Sequence, residues 1–153
     1  MVDSTAFKQA LSRFLSGVTV VSVREGDSVH GITVSAFSAV SLVPPLVLVC
    51  IDQRARSLAL IAAAGRFGVS VLASGHQGYS NTFAGYGTET PVWTDLGQSG
   101  VLVGAIAQLD CAVETEMVAG DHTIFVARVH AARSVDGAPL GYWRAKYQDI
   151  REA

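Results

Sequence analysis

The sequence predicts a mainly β fold, a closed antiparallel barrel with helices at its periphery. Three observations carry that expectation. Short runs rich in Val, Ile and Thr recur along the chain, bounded by Gly, Pro or Asp. Helical segments are inserted singly between them, without the strict alternation of a doubly wound parallel sheet. Closure also removes the exposed edges that so many strands would otherwise leave.

A chain of 153 residues fits one domain, residues 1–153, and can bury a core without crosslinks. Asp3 or Ser4 can cap an N-terminal helix with Phe7, Ala10, Leu11, Phe14 and Leu15 at helical spacing, and Gly17 is expected to end it. Strands follow at 18–23 and 29–34, joined by a turn at Glu25-Gly26-Asp27. A further strand at 38–43 is stopped by Pro44-Pro45, and the continuously apolar 46–51 reads as a strand buried on both faces. Residues 57–64 form a short helix closed by Gly65, 67–72 a strand, and 76–83 another short helix. Residues 84–100, with Gly, Thr, Pro and Trp and little periodicity, read as a long loop. Strands at 105–116 and 124–134 and an aromatic, amphipathic tail at 140–150 complete the chain.

Half of the residues are hydrophobic, 16% are charged, and the mean hydropathy is +0.37. No apolar run approaches the roughly 20 residues of a spanning helix, so the surplus apolar surface points to a homo-oligomer and not to a membrane. A net charge of −2 without a basic cluster argues against nucleic acid as a partner. The N-terminus lacks the apolar core of a secretory signal. Cys50 and Cys111 lie in apolar, strand-like stretches without CxxC spacing, which suits two buried thiols in a reducing cytoplasm.

Three segments have the residue types for chemistry. Gly31-Ile-Thr-Val-Ser-Ala-Phe-Ser-Ala-Val-Ser41 offers hydroxyls at Thr33, Ser35, Ser38 and Ser41 and approachable backbone donors, a rim suited to a flat polar heterocycle. An ordinary edge strand and turn would have the same composition. Asp52-Gln-Arg-Ala-Arg-Ser57 leaves a strand and enters a helix, where guanidinium, hydroxyl and free N–H groups make an anion site. A simple cap by Ser57 with two solvated arginines is the alternative. Gly120-Asp-His122 places a histidine at a strand entrance, either to orient or protonate a ligand or merely to begin the strand after a turn. Gly85-Tyr-Gly-Thr-Glu-Thr90 lacks the third glycine of a dinucleotide fingerprint and follows a helix. The four histidines are scattered, so no metal site is expected.

Taken in order, Ser16-Gly-Val-Thr-Val-Val21, Gly31 to Phe37, Ser41-Leu-Val-Pro-Pro-Leu-Val47, Phe67-Gly-Val-Ser-Val-Leu72, Gly120-Asp-His122 and Pro139-Leu140 with Tyr147 resemble the short-chain flavin reductase family. These are reductase components of two-component flavin-dependent monooxygenases, such as that of 4-hydroxyphenylacetate 3-monooxygenase. The resemblance covers about residues 7–147. It implies a Greek-key, FMN-binding split barrel and a homodimer with flavin near the subunit interface. The implied activity is hydride transfer from NADH or NADPH to FMN or FAD, for a partner monooxygenase. By position, Thr33, Val34, Ser35, Ala39, Val40 and Ser41 would line the isoalloxazine and ribityl chain. Asp52, Arg56 and Ser57 would serve the ribityl and phosphate end, and Phe83 would cover the flavin. His122 would face the nicotinamide nucleotide, with Tyr147 as a second candidate. An acid at position 52 stands where such proteins commonly have Asn or Ser. A split-barrel flavoprotein that keeps its flavin, as an oxidase or an electron carrier, is the other class.

Overall fold

The computed structural model describes residues 1–153 and begins with helix α1 (Ser4–Leu11), whose N-cap is Asp3. The Asp3 carboxylate accepts from the Thr5 and Ala6 N–H groups at 2.9 Å, pairing two of the donors that a helix start leaves open. The helix stops at Leu11 with Ser12 as its cap, earlier than the expected stop at Gly17. Gly17 instead belongs to the two-residue strand β1 (Ser16–Gly17). No side chain of α1 is buried, so its apolar stripe has no partner within this chain.

Strands β2 (Thr19–Glu25) and β3 (Ser28–Val34) form a hairpin through Gly26, whose φ of +60° suits a residue without Cβ. Next come β4 (Phe37–Ser41), β5 (Leu46–Asp52), helix α2 (Arg56–Ala64) and β6 (Arg66–Val71). Helix α2 ends as expected at Gly65, in the left-handed conformation with φ +64°. Helix α3 (Gln77–Phe83) precedes β7 (Trp93–Leu96), β8 (Ser99–Leu102), β9 (Ala107–Ala119) and β10 (His122–Ser134). A hairpin of β11 (Leu140–Trp143) and β12 (Lys146–Asp149) closes the chain.

Seven strands form one antiparallel sheet in the order β3-β2-β6-β9-β10-β5-β4, and β3 at one end comes back into contact with β5. The sheet therefore curls into the expected split barrel. Strand β2 explains why one β-branched run reads as fully buried. Its Val21 and Val23 enter a core with Val49, Ile51, Phe67 and Phe125, while Val20 enters a second core with Leu72, Leu102 and Leu140.

Three further expectations change. Strand β5 is buried on one face only: Val47, Val49 and Ile51 are buried, whereas Leu46, Leu48 and Cys50 are half-buried on the other. Strand β4 ends at Ser41, and residues 42–45 turn with a cis Val43–Pro44 bond. The long loop shrinks to 84–92, because 93–102 form the β7–β8 hairpin.

The β11–β12 hairpin turns through Arg144 and Ala145 at φ +53° and +59°. Side chains there cost about 1 kcal/mol or more each. The turn is fixed to the end of α1: the Arg144 N–H donates to the Ser12 carbonyl (3.0 Å) and Trp143 Nε1 to the Arg13 carbonyl (2.9 Å).

Candidate functional site

Three depressions meet around strand β3 and the residues that follow it. The first is a groove of about 470 Å³ between β3, the start of α2 and the end of α3. His30, Gly31, Arg56, Ser57, Phe83 and Gly85 line it. Strand β5 delivers the chain to α2 through Ala55, an N-cap that makes no side-chain hydrogen bond. The first turn of α2 holds no acidic residue, so its N–H groups and positive dipole end are not neutralised locally. Ser57 is the second residue of that turn, not its cap. Its side chain is 2% exposed and its Oγ has no hydrogen-bond partner. Arg56 stands beside it, its Nη2 donating to both Glu25 carboxylate oxygens at 3.0 and 2.9 Å.

Phe83 is fixed by close packing. A Cβ on Gly31 would lie 2.7 Å from the Phe83 ring, so the ring rests directly on the β3 backbone. Its other neighbours are Tyr79 and Trp93, with ring centroids 6.5 and 5.5 Å away. One edge of Phe83 thus belongs to the second core while another lines the groove.

The second depression, about 180 Å³, is lined by Thr33, Ser35, Ser80, Tyr86, Tyr142 and Tyr147 among others. Two of its hydroxyls fasten α3 in place. Thr33 Oγ1 donates to the Ser80 carbonyl at 2.6 Å, and Tyr147 Oη lies 2.7 Å from both Asn81 Oδ1 and Ser80 Oγ. The third is an apolar cavity of about 510 Å³ between α1, the outer face of β4–β5 and the C-terminal hairpin. Phe7, Phe14, Phe37, Leu48 and Trp143 contribute to it, and Ser35 belongs to both it and the second depression.

The residues expected to form one site are therefore divided. Arg56, Ser57 and Phe83 share the groove, while Thr33, Ser35 and Tyr147 share the smaller depression. Val34 points into the main core at 6% exposure, which leaves only its backbone for a ligand. Ala39, Val40 and Ser41 lie on the edge strand β4 and line none of these cavities. Asp52 bonds its own neighbour, not Arg56 or Ser57. Its carboxylate accepts from the Arg54 N–H and Nη2 (both 2.8 Å) and Nε (3.1 Å), which holds it far below the usual carboxylate range.

His122 is paired with Asp52 across β10 and β5. It follows a two-residue turn in which Gly120 has φ +62°. Its Nδ1 lies 2.8 Å from Asp121 Oδ1. The bond to His122 lowers the Asp121 pKa. An ionised carboxylate only accepts, so Nδ1 carries the hydrogen, which leaves Nε2 as the acceptor whenever the ring is neutral.

Glu25 and His30 approach Arg56 only through tertiary packing, which the sequence does not show. The only sequence signal was the Glu25-Gly26-Asp27 turn, which reverses the chain and pairs Val23 with His30.

The model of the flavin reductase like domain family matches residues 11–151. The chain belongs to this family. An NADH-dependent flavin reductase from Rhodococcus sp is 41% identical over 148 residues, covering 94% of this chain and 84% of that protein. The reductase component of 4-hydroxyphenylacetate 3-monooxygenase from Thermus thermophilus is 40% identical over 146 residues, covering 95% of each. The solved structure of the flavin reductase PheA2 in its native state superposes with a TM-score of 0.96 at 34% identity, covering 99% of this chain and 100% of that one. No helix of this family member is long and apolar enough to cross a membrane.

Proposed function

We propose that the chain is an NADH-dependent flavin reductase, a single domain spanning residues 1–153 that supplies reduced flavin to a partner monooxygenase. The observation that carries the site assignment is the orphaned, buried Ser57 Oγ at an uncapped helix start beside Arg56. A buried hydroxyl without a partner costs about 1–3 kcal/mol. An anion seated there would complete it, together with the α2 N–H groups and the guanidinium. The donor set fits a flavin phosphate, whether of FMN or of FAD.

In this reading Arg56 and Ser57 bind the phosphate end, and Phe83 walls the groove. The exposed Ser35 and the β3 backbone around Thr33 and Val34 border the ring and ribityl chain, with Ala39, Val40 and Ser41 further along β4. Thr33 and Tyr147 act indirectly, by holding α3 against the groove. Asp52 keeps Arg54 occupied and away from the phosphate. The Nε2 of His122 accepts from the nicotinamide nucleotide, NADH or NADPH. Flavin and nicotinamide, when both are bound, supply the hydride chemistry themselves. The residues of this chain position, exclude water and offer hydrogen-bond donors; none acts as a nucleophile.

The unpartnered apolar stripe of α1 and the cavity beside it support a homodimer that covers this face. Phe7, Leu11 and Phe14 on this face are 54%, 54% and 79% exposed, apolar surface that a second copy would cover. Two free cysteines support a cytoplasmic setting. Steady-state oxidation of NADH and NADPH with added FMN, FAD or riboflavin tests the activity. Turnover that rises with free flavin is expected, and a tightly coloured protein that ignores added flavin would favour the oxidase or carrier class. Light scattering tests the dimer, and a monomer that binds flavin would remove it.

A further inference from the structure

We propose that Glu25 is an internal competitor for Arg56, holding the guanidinium away from the flavin phosphate so that flavin binds weakly enough to leave after reduction. The inference rests on the phosphate-end reading given above. Glu25 ends strand β2 and Arg56 opens α2, and the Arg56 Nη2 reaches both carboxylate oxygens at 3.0 and 2.9 Å. The side chains are 67% and 48% exposed, so water screens the pair and it exchanges readily.

The charges around the groove explain why this matters. His30 lines the same groove, and burial first, then the neighbouring Arg56, hold its pKa below the ordinary histidine value. It is therefore neutral at pH 7 and adds no cation. Arg56 is the groove's one cation and Glu25 already neutralises it. An arriving phosphate must draw the guanidinium from Glu25 or share it, because Nη2 is held by both carboxylate oxygens, and in either case it approaches a second anion. Ser57 Oγ has no partner, and no acidic side chain stands in the first turn of α2 to compete for its N–H groups. Affinity for the phosphate is thereby set by an exchange, not by a fresh pairing. A dissociable flavin needs that property, and a permanently held one does not.

The test uses the full chain titrated with FMN and with riboflavin at low ionic strength, read by flavin fluorescence. Glu25→Gln should bind FMN about threefold tighter, the scale of a screened surface pair, and bind riboflavin as the unaltered protein does. Glu25→Lys, which adds a cation, should tighten FMN further. Both gains should shrink at about 0.5 M salt. Melting curves confirm that the variants are folded. If Arg56→Ala loses FMN selectively but neither Glu25 variant tightens it, the competitor role is overturned while the phosphate site stands. If Arg56→Ala weakens FMN and riboflavin equally, the phosphate-end reading fails, and the competitor role falls with it.

Discussion

Two buried polar groups in this chain have nearly the same exposure and opposite bonding. Asp110 on β9 is 1% exposed and accepts from Arg66 Nε (3.1 Å) and Nη2 (2.7 Å), from Ser99 Oγ (2.7 Å) and from the Gln98 N–H (3.4 Å). Ser57 on α2 is 2% exposed and its Oγ accepts from nothing and donates to nothing. The first cluster ties the β7–β8 hairpin to the barrel. It also requires glycine at position 97, where a Cβ would lie 2.2 Å from the Asp110 carboxylate. Full pairing marks a group that holds the fold, whereas a lone orphan in a well-paired structure suits the binding role proposed for Ser57. Stability and binding should therefore separate cleanly between the two regions.

The largest expected effect breaks the satisfied cluster. Asp110→Ala leaves Arg66 without its partner and strips acceptors from Ser99 and Gln98, a loss of about 3 kcal/mol. Urea unfolding measures it. Flavin affinity of the remaining folded protein should hold, and a selective loss of FMN binding would dissolve the contrast. The pH dependence has a definite sign. Burial pushes the Asp110 pKa up, but the hydrogen bonds from Arg66, Ser99 and the Gln98 N–H outweigh it, and the net shift is downward. Its contribution is thus complete above the unfolded value of about 4 and is lost as pH falls through the lower folded value. Urea midpoints should drop in that acid window, and Asp110→Asn should flatten the drop.

The unsatisfied region should respond in binding. Arg56→Ala is expected to weaken FMN about tenfold and riboflavin hardly at all, the loss of one charge-assisted hydrogen bond. Ser57→Ala sharpens the comparison further, because it should move stability and affinity in opposite directions. Removing an unpaired buried hydroxyl should raise unfolding stability by up to about 1 kcal/mol in the absence of ligand, while FMN binds several-fold more weakly. A destabilised Ser57→Ala variant would mean that Oγ has a partner in solution and is no orphan.

The elements that were legible in the sequence are those whose signal is local. Runs such as Thr19–Glu25 and Leu46–Asp52 declare strands through β-branching, and Gly65 declares a helix end through the left-handed conformation it adopts there. The β7–β8 hairpin was missed because Trp93–Leu96 carries Thr and Asp in place of an apolar alternation. It is held by distant partners, the Arg24–Asp95 ion pair and the Asp110 grip on Ser99. The apolar run of β5 could not reveal that Leu48 and Cys50 face an open cavity, since a closed core and an apolar cavity wall use the same side chains. In the site, Arg56 and Ser57 were visible as a helix start. Glu25 and His30 reach the same groove only through the β2–β3 register and packing against α2. That Thr33 and Tyr147 spend their hydroxyls on α3 is likewise a fact of packing, invisible in an alternation of small polar residues.

The smallest expected effect concerns His122, which lies outside both regions and tests whether the nicotinamide has a place of its own. Its side chain is 41% exposed, and its one hydrogen bond is to the adjacent Asp121. Gly120, with its positive φ, shapes the turn, and the imidazole adds no further hydrogen bond to the barrel. His122→Ala should therefore leave the melting temperature and FMN affinity nearly unchanged. If Nε2 accepts from the nicotinamide nucleotide, the apparent NADH constant should rise about threefold, the scale of one neutral hydrogen bond, with slower flavin reduction in stopped flow. Asp121→Asn should give a smaller change in the same direction, because the amide still accepts from Nδ1 through its carbonyl but without the charge. A turn-only role predicts the reverse pattern, with lower stability and normal reduction by the protein that remains folded. A reduction rate unchanged at every NADH concentration would remove His122 from the site and leave nicotinamide binding to the groove walls alone.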